Sequence, residues 1–270
     1  MRRSQTLLLL GALLAPTPGC SLVTDLDAFE QADVDAGVTC SAESNERRDL
    51  VLELTEFSPH VDEFLEVRIV SSEGNILKAR GILDPLEAVQ TTIEMPGAIP
   101  EGSHHIDFFA DHDDEPGYSP PADGESFVDS DHSWRIDPCT PVTEFEHNTN
   151  FDILPDPTPV GSDATIELTG VPTDELRHFE LRVIDEASGA AVGLYRNPIV
   201  GDADTFTVAI PGIIDEGLTY TVAFFLDQND NGTYDPPPED EAWEITGLEG
   251  EVNETFAYDP DPDSMTDIGF

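Results

Sequence analysis

The sequence predicts an all-β protein built from two tandem antiparallel β-sandwich domains. Three observations support this: the chain contains one pattern of roughly a hundred residues twice, apolar residues alternate with polar ones within each copy, and no stretch of about ten residues has the period of an amphipathic helix. Clusters of Gly, Pro, Asn and Asp separate the apolar runs, as in turns between strands. With 39% hydrophobic residues and 14 Phe, the chain can bury a core.

The first residues predict a secretory signal peptide over residues 1–19. Two arginines precede the apolar run Leu7–Ala15, which is too short to span a membrane. The Gly19–Cys20 junction resembles a bacterial lipobox, in which the cysteine thiol is lipidated and becomes the mature N-terminus.

That resemblance implies a membrane anchor at Cys20. It also implies sorting to the outer membrane, because Ser21 stands where the inner-membrane retention signal has Asp. The sequence departs from the usual lipobox at Thr17, where Leu is common, and at Pro18. Ordinary cleavage after an Ala is the alternative.

Three cysteines form an odd set, which normally leaves one to explain. If Cys20 carries a lipid, Cys40 and Cys139 remain in an exported, oxidising compartment, where a disulfide is expected. Two free buried thiols are the alternative, and neither cysteine has a basic neighbour that would activate it as a nucleophile.

The charge is strongly negative, with 57 acidic residues against 11 basic ones and a net charge of −46. Such a chain repels nucleic-acid phosphates and anionic lipid surfaces, so nucleic acid is not expected as a partner. The same field attracts cations, and salt screens its self-repulsion.

The internal repeat keeps its order and spacing along both copies, which chance does not explain. The matching segments, first copy before second, are DLVLELTEF and DATIELTGV, FLEVRIV and HFELRVI, MPGAIPEG and IPGIIDEG, FFADHDDEPGYSPP and FFLDQNDNGTYDPP, DHSWRI and DEAWEI, and NTNFDILPDP and NETFAYDPDP.

Each copy contains about seven short strand patterns, which is typical of an Ig-like or transthyretin-like β-sandwich, and a small barrel is the competing fold. The domain boundaries follow from the repeat: a lipidated acidic tether at 20–39, repeat 1 at 40–154, a Pro-rich linker at 155–162, repeat 2 at 163–262 and a tail at 263–270.

The second copy carries DQNDNGTYD directly after an apolar strand pattern, which resembles the DxDxDG calcium loop of EF-hands and of many secreted bacterial modules. Calcium prefers six to eight hard oxygen ligands, which alternate side chains and a backbone carbonyl supply. The predicted ligands are Asp227, Asn229, Asn231, the carbonyl of Thr233, Asp235 and Asp240.

The loop departs from the EF-hand at its twelfth position, where Pro238 replaces a Glu, and Glu239 or Asp240 would have to complete the shell. An Asx-rich polar turn is the alternative interpretation. A weaker second calcium site is predicted in the first copy at Asp111, Asp113 and Glu115, where Pro116 replaces the glycine.

Other candidate sites are less specific. His104, His105 and His132 suggest zinc or copper, but neighbouring strand residues point to opposite faces, so we expect surface histidines. Trp134 and Trp243 occupy matching positions, and a core role is favoured over a sugar-stacking platform. The sequence has no G-x-S-x-G, H-E-x-x-H or Walker motif, so no catalytic residues are predicted.

Over residues 40–262 the sequence resembles bacterial lipoproteins with tandem Ig-like or transthyretin-like repeats that bear DxNxNG-type loops. The resemblance implies a non-enzymatic, calcium-stabilised envelope or surface protein, anchored in the membrane by its N-terminal lipid. It would act as an adhesive or binding module for a protein or glycan ligand. The alternatives are a structural spacer or stalk, and a carbohydrate-binding accessory module.

Overall fold

A computed structural model of the chain describes residues 39–113, 115, 117–121, 127, 130–170, 177–199, 205–229, 231–258 and 261–270. The predicted signal peptide, Cys20 and nearly all of the predicted tether lie outside the described residues. Within the described part, regular structure consists of strands and short 3-10 segments, among them Ser58–His60 and Pro262–Ser264. No helix in this part is long and apolar enough to cross a membrane.

Repeat 1 contains seven main strands and three two-residue strands. The main strands are β3 Arg48–Thr55, β4 Leu65–Ser71, β5 Leu77–Leu83, β6 Thr91–Ile99, β7 Gly102–Ala110, β8 His132–Ile136 and β10 Thr143–Glu146. The short strands are β1 Thr39–Cys40, β2 Glu43–Ser44 and β9 Cys139–Thr140.

Repeat 2 contains seven strands that match the main strands of repeat 1 in order. They are β11 Ser162–Thr169, β12 Arg177–Asp185, β13 Ala190–Ile199, β14 Thr205–Ile214, β15 Thr219–Leu226, β16 Glu241–Glu249 and β17 Val252–Ala257. The prediction of an all-β sandwich protein with about seven strands in each copy is therefore confirmed.

The two repeats pair their strands in the same way. In repeat 1 a three-stranded sheet, β10-β3-β6, packs on β5-β4-β7-β8, and in repeat 2 the sheet β14-β11-β17 packs on β16-β15-β12-β13. Pairing is antiparallel except that β10 runs parallel to β3 and β17 runs parallel to β11 within the repeats. These equivalent strands show that one of the sequence matches, NTNFDILPDP with NETFAYDPDP, is wrong. That match aligns Asn148 with Asn253, but Asn148 follows β10 whereas Asn253 lies inside β17.

Alternation along the strands places apolar residues in the cores. Leu50, Leu52 and Leu54 on β3 are almost fully buried, and the residues between them are partly exposed. Trp134 and Trp243 each lie in a core, stacked on the neighbouring Phe108 and Phe224. The predicted core role of both tryptophans is confirmed.

The two repeats share one sheet, which the sequence did not predict. β5 pairs in parallel with β13 and thereby joins the larger sheets of both repeats into nine strands. Adjacent residues on each joining strand serve different cores: Leu83 packs in repeat 1 and Ile82 in repeat 2, and likewise Leu194 packs in repeat 1 and Tyr195 in repeat 2. Because neighbouring strand residues point to opposite faces, the two cores lie on opposite faces of the shared sheet.

The predicted linker is docked on both repeats. Thr158 exchanges backbone hydrogen bonds with repeat 1, accepting from Leu77 N–H and donating to the Asn75 carbonyl. Pro159 lies against Gly212, whose φ of +74° and lack of a side chain permit the close approach. These contacts turn the Pro-rich segment into part of the junction.

The predicted disulfide is present. Cys40 on β1 and Cys139 on β9 are bonded across a sequence separation of 99 residues, and the same two strands pair in antiparallel register. The bond ties the start of repeat 1 to the segment between β8 and β10.

Candidate functional site

The predicted calcium loop connects β15 to β16, and we call residues 227–240 the repeat-2 loop. Its first and last residues, Asp227 and Asp240, are 1% and 0% exposed, so both carboxylates turn into the protein. Asp227 accepts the backbone N–H of Asn229 at 3.1 Å and that of Gly232 at 2.7 Å. Gly232 has a φ of +76°, which explains why a glycine stands at this turn.

Asp240 closes the other side of the repeat-2 loop. It accepts the backbone N–H of Gln228 at 2.9 Å and that of Asp235 at 2.7 Å. Burial raises the pKa of Asp240 despite these hydrogen bonds, and the nearby Asp227 and Asp235 carboxylates add to the increase. A cation placed among these three acids would relieve their mutual repulsion.

The remaining predicted ligands lie in the same network. Asn229 and Asn231 donate their side-chain amides to Oδ2 of Asp235 at 3.0 and 2.7 Å, which lowers the pKa of that carboxyl. Thr233 donates both its N–H and its hydroxyl to Oδ1 of Asn231. The predicted side chains thus lie together in one loop. Many of their oxygens accept hydrogen bonds from backbone or side-chain N–H groups of the same loop. Calcium binding there stays a prediction.

The corresponding loop of repeat 1 brings three carboxylates closer together. Asp111, Asp113 and Asp131 each have an oxygen within 4.8 Å of the others. Glu115, the predicted third ligand, is exposed, and its backbone N–H donates to Asp113. Asp131 joins the group because it precedes β8 as Asp240 precedes β16.

Asp131 has a strongly raised pKa. Burial raises its pKa to about 6, with a further contribution from the Asp111 and Asp113 charges, even though it accepts the N–H groups of Ser119 and His112. By contrast, the Ser119 hydroxyl lowers the pKa of Asp113.

A cleft with a volume of about 480 Å³ lies where the two repeats meet. One wall is the segment from the end of β5 through β6, and the other is the outer face of β12 and β13 together with the repeat-2 loop. The lining residues are Leu83, Pro85, Glu87, Ala88, Gln90, Thr91, Thr92, Glu94, His178, Glu180, Arg182, Arg196, Phe225, Gly232, Thr233, Tyr234 and Phe270. The sequence does not predict this cleft, because its lining residues come from both repeats and lie far apart in the chain.

A buried ion triad forms the floor of the cleft. Glu180 is 4% exposed and bonds Arg182 through Oε1 at 2.7 Å and Arg196 through Oε2 at 2.7 Å. Burial by itself would raise the pKa of Glu180, but the two guanidinium groups hold it below its ordinary value. Arg196 also donates to the carbonyl of Thr92, which links the floor to the opposite wall.

Aromatic rings line the repeat-2 side of the cleft. Phe225, Tyr234 and Phe270 contact one another with ring centroids 5.3 to 5.7 Å apart. The guanidinium of Arg182 lies 4.1 Å from the centre of the Phe270 ring. His178 pairs with Glu87 across the cleft at 3.3 Å and lowers the pKa of that carboxyl.

Repeat 1 has a related ion triad on β4 and β5. Glu66 pairs with Arg68 and, at 3.2 Å, with Arg80, and Arg68 lies over the rings of Phe109 and Tyr118. The E-x-R pattern on β4 and β12, visible in FLEVRIV and HFELRVI, was the sequence signal for these buried ions.

The histidines predicted to lie on the surface behave differently. His104 is 3% exposed, so that prediction is wrong for this residue, whereas His105 is partly exposed and bonds Asp137. His132 is partly buried and stands close to His60 and His112. His60 and His112 were not predicted as site residues, because histidines far apart in the sequence give no local pattern.

No protein-family model and no curated protein sequence matches the chain. Among solved structures, a candidate adhesin from Bacteroides ovatus is 12% identical, with a TM-score of 0.22 over 81% of this chain and 90% of that one. The Bacillus anthracis TIE protein is 11% identical, with a TM-score of 0.20 over 78% of this chain and 34% of that one. The shaft pilin spaA of Lactobacillus rhamnosus GG is 10% identical, with a TM-score of 0.20 over 79% and 98%. Likenesses of this size carry no argument about function.

Proposed function

We propose that the chain is a non-enzymatic, lipid-anchored protein of the bacterial cell envelope that acts as an adhesive or binding module. The single observation that carries the proposal is the cleft between the repeats. It is built from both copies, and its floor is held by buried ion pairs. Concave sites with a few fixed polar groups are the usual places where proteins bind ligands.

The lining of the cleft suits a glycan. Tyr234 and Phe270 supply flat apolar surfaces, and Gln90, Thr91 and Glu94 supply donors and acceptors on the facing wall. Sugars present both an apolar face and a rim of hydroxyls, so a site of this composition matches them. A glycan is therefore the ligand class that we propose.

Calcium has a defined place in this proposal. Gly232, Thr233 and Tyr234 of the repeat-2 loop form part of the cleft wall. An ion held by Asp227, Asp235 and Asp240 would fix that wall, so ligand binding would depend on calcium without direct contact between ion and ligand.

A glycan array tests the proposal. The purified protein should bind a restricted set of glycans in calcium buffer, and Tyr234→Ala should abolish that binding. Tyr118→Ala is the matched control, because Tyr118 holds the equivalent position in repeat 1 and its hydroxyl likewise accepts a backbone N–H, that of Leu154. Equal loss of binding in both variants, or none in either, would contradict a ligand site in the cleft.

The structural spacer is the second candidate, and the shared sheet favours it. The β5–β13 pairing and the docked linker fix the two repeats in one sheet-based unit, as a stalk segment requires. A protein that binds no array glycan and no cell-surface extract, with or without calcium, would support the spacer over the binding module.

The anchor is a separate part of the proposal and has its own test. Cys20→Ser should abolish labelling of the expressed protein with a fatty-acid analogue and release it from the membrane fraction. Equal labelling of both forms would remove the anchor and leave the binding module intact.

A further inference from the structure

Four histidines meet at one end of repeat 1. His60 ends the first 3-10 helix, His112 follows β7, His132 begins β8 and His147 follows β10. Their rings surround His60, which is fully buried. We call this group the histidine cluster.

The outer nitrogen of three rings is held by an acceptor. Nδ1 of His60 lies 2.7 Å from Oε2 of Glu63, and Nδ1 of His112 lies 2.9 Å from Oε1 of the same carboxylate. Nε2 of His132 lies 2.9 Å from the carbonyl oxygen of Phe127. Because a carboxylate or carbonyl accepts only, each of these nitrogens carries the proton, and the other nitrogen of each neutral ring keeps a lone pair.

The remaining nitrogens converge. Nε2 of His60 lies 3.4 Å from Nδ1 of His132, and one nitrogen of each of His60, His112 and His132 lies within 4.8 Å of the others. Tetrahedral zinc with Zn–N bonds of about 2.0–2.1 Å separates its ligand nitrogens by about 3.3–3.4 Å. The His60–His132 distance therefore equals the spacing of two zinc ligands.

We propose that His60, His112 and His132 bind a zinc ion through Nε2, Nε2 and Nδ1, with Glu63 and the Phe127 carbonyl as the outer partners that orient the rings. Metal-binding histidines usually donate their second nitrogen to a carboxylate or carbonyl in this way. Nε2 of His147 lies 3.1 Å from Nε2 of His60, so His147 adjoins the site. Imidazole nitrogens distinguish this site from the all-oxygen calcium loops.

The protonation states fit the proposal. Burial lowers the pKa of His132 and of His147, which favours the neutral form that a metal ligand requires. Burial opposes the ionisation of Glu63, but the hydrogen bonds from His60 and His112 hold its pKa below the ordinary value, so its negative charge balances part of the ion's.

One ring must move on binding. His112 stacks on His132 with ring centroids 4.5 Å apart and planes 20° from parallel. Two stacked rings cannot both point a nitrogen at one ion within their planes, so His112 has to rotate. It is the most exposed of the three, with 36% of its side chain accessible, which permits that rotation.

In repeat 2, other residues stand at the described positions that correspond to three of the four histidines. Gln228 stands in the place of His112, Glu241 in that of His132 and Tyr258 in that of His147, as the strand pairing shows. There the Tyr258 hydroxyl donates to Glu241 at 2.8 Å. The fold can therefore be built without these histidines, which indicates a local role for them in repeat 1.

Zinc titration of the purified, chelator-treated protein tests the proposal. Excess calcium and magnesium in the buffer occupy the surface carboxylates, because these ions prefer oxygen ligands. Calorimetry then measures the binding of zinc to the histidines. The wild type should bind one zinc ion per chain. His112→Gln, which introduces the residue found in repeat 2, and His132→Gln should each weaken zinc binding by more than about tenfold. Removing only an outer partner of a metal ligand already costs about tenfold, so removing a ligand should cost more. His105→Gln, outside the cluster, should bind as the wild type does.

The result that overturns the site is no zinc binding by the wild type, or equal affinity in His112→Gln and His105→Gln. In that case the histidine cluster is only an aromatic packing unit with Phe57, Trp134 and Phe151. If His132→Gln does not fold, as circular dichroism would show, His112→Gln decides alone. Neither outcome bears on the glycan cleft, which lies elsewhere in the fold.

Discussion

Leu194 of the second repeat lies opposite Gly81 of the first, across the parallel pairing of β5 with β13, and its side chain is buried in the core of the first repeat. The two positions pack closely, because a Cβ added at Gly81 would lie in ordinary van der Waals contact with Leu194, at 3.7 Å. Each repeat thus completes the core of the other: Leu77 and Ile82 of β5 pack in repeat 2 in return.

We expect this exchange to make the two repeats unfold together. Leu194→Ala should lower the free energy of unfolding by about 2–5 kcal/mol, the usual cost of a buried Leu-to-Ala change. The two tryptophans report on separate cores, so variants with Trp134→Phe or Trp243→Phe follow each repeat by fluorescence during urea unfolding. Both reporters should show the same midpoint and the same shift.

Leu218→Ala is the control for that measurement. Leu218 is also in repeat 2 but is 37% exposed, so its truncation should change the free energy by no more than about 0.5 kcal/mol. If Leu194→Ala shifts only the Trp134 signal, the repeats are independent folding units that share a sheet edge.

The disulfide should carry a large part of the stability of repeat 1. Replacing both Cys40 and Cys139 by Ser should lower the free energy of unfolding by about 4–5 kcal/mol, because the bond restricts a long loop of the unfolded chain. Urea unfolding with and without reductant measures the effect. Reductant should destabilise the wild type and leave the double variant unchanged, whereas free alkylation of both thiols in the native protein would contradict the bond.

Asp131 should make stability fall as the pH rises towards neutrality. Its pKa in the folded protein is about 6, above the value of 3.8 for an unperturbed carboxyl, because burial and two neighbouring acids oppose its ionisation. The folded state therefore holds this proton more tightly than the unfolded state does. The resulting stability is fully present below about pH 4 and is lost as the pH rises through 6.

Melting temperatures between pH 4 and pH 8, measured with chelator present, test this. Asp131→Asn should remove a pH-dependent contribution on the order of 1–2 kcal/mol. General charge repulsion has the same direction, so Glu144→Gln, an exposed acid on β10, serves as the control and should leave the pH profile in place. An unchanged profile in Asp131→Asn would show that this carboxyl does not titrate as described.

The strands and both cores could be predicted because they depend on patterns within short, continuous segments of the sequence. Alternation along LVLELTEF and TIELTGV fixes which residues of β3 and β11 are buried, and the internal repeat confirms the pattern twice. The junction could not be predicted in this way. β5 and β13 pair with each other although they lie far apart in the chain. The residues that face the other repeat, such as Ile82 and Leu194, have the same apolar character as other strand residues.

The sites differ in the same respect. The repeat-2 loop is one continuous segment, so the spacing of its oxygen-bearing residues can be seen in the sequence. The histidine cluster draws His60, His112 and His132 from three separate segments, and the cleft combines β6 with β12. Asp131 is intermediate between these two cases. It is distant in sequence from Asp111 and Asp113, but the match with Asp240 in the other repeat places it at the end of the loop between β7 and β8.

The geometry of the repeat-2 loop decides which variant best tests calcium binding there. Asp227→Ala would remove the acceptor of two backbone N–H groups, those of Asn229 and Gly232, and would cost about 1–3 kcal/mol without any ion. Asp235→Asn is the sharper variant, because an amide oxygen there can still accept the Asn229 and Asn231 amides while the charge is lost.

Calcium at about a hundredfold excess over its dissociation constant should add roughly 2.7 kcal/mol of stability beyond sodium at matched ionic strength, because only calcium binds the folded state specifically. Asp235→Asn should lose most of that excess, measured by thermal unfolding at several calcium concentrations. Glu251→Gln removes the same charge from the exposed turn between β16 and β17 and should keep the full calcium response. If the two variants respond alike, or if calcium and sodium stabilise the wild type equally, the loop is a hydrogen-bonded polar turn. Its contribution to the cleft then needs no ion.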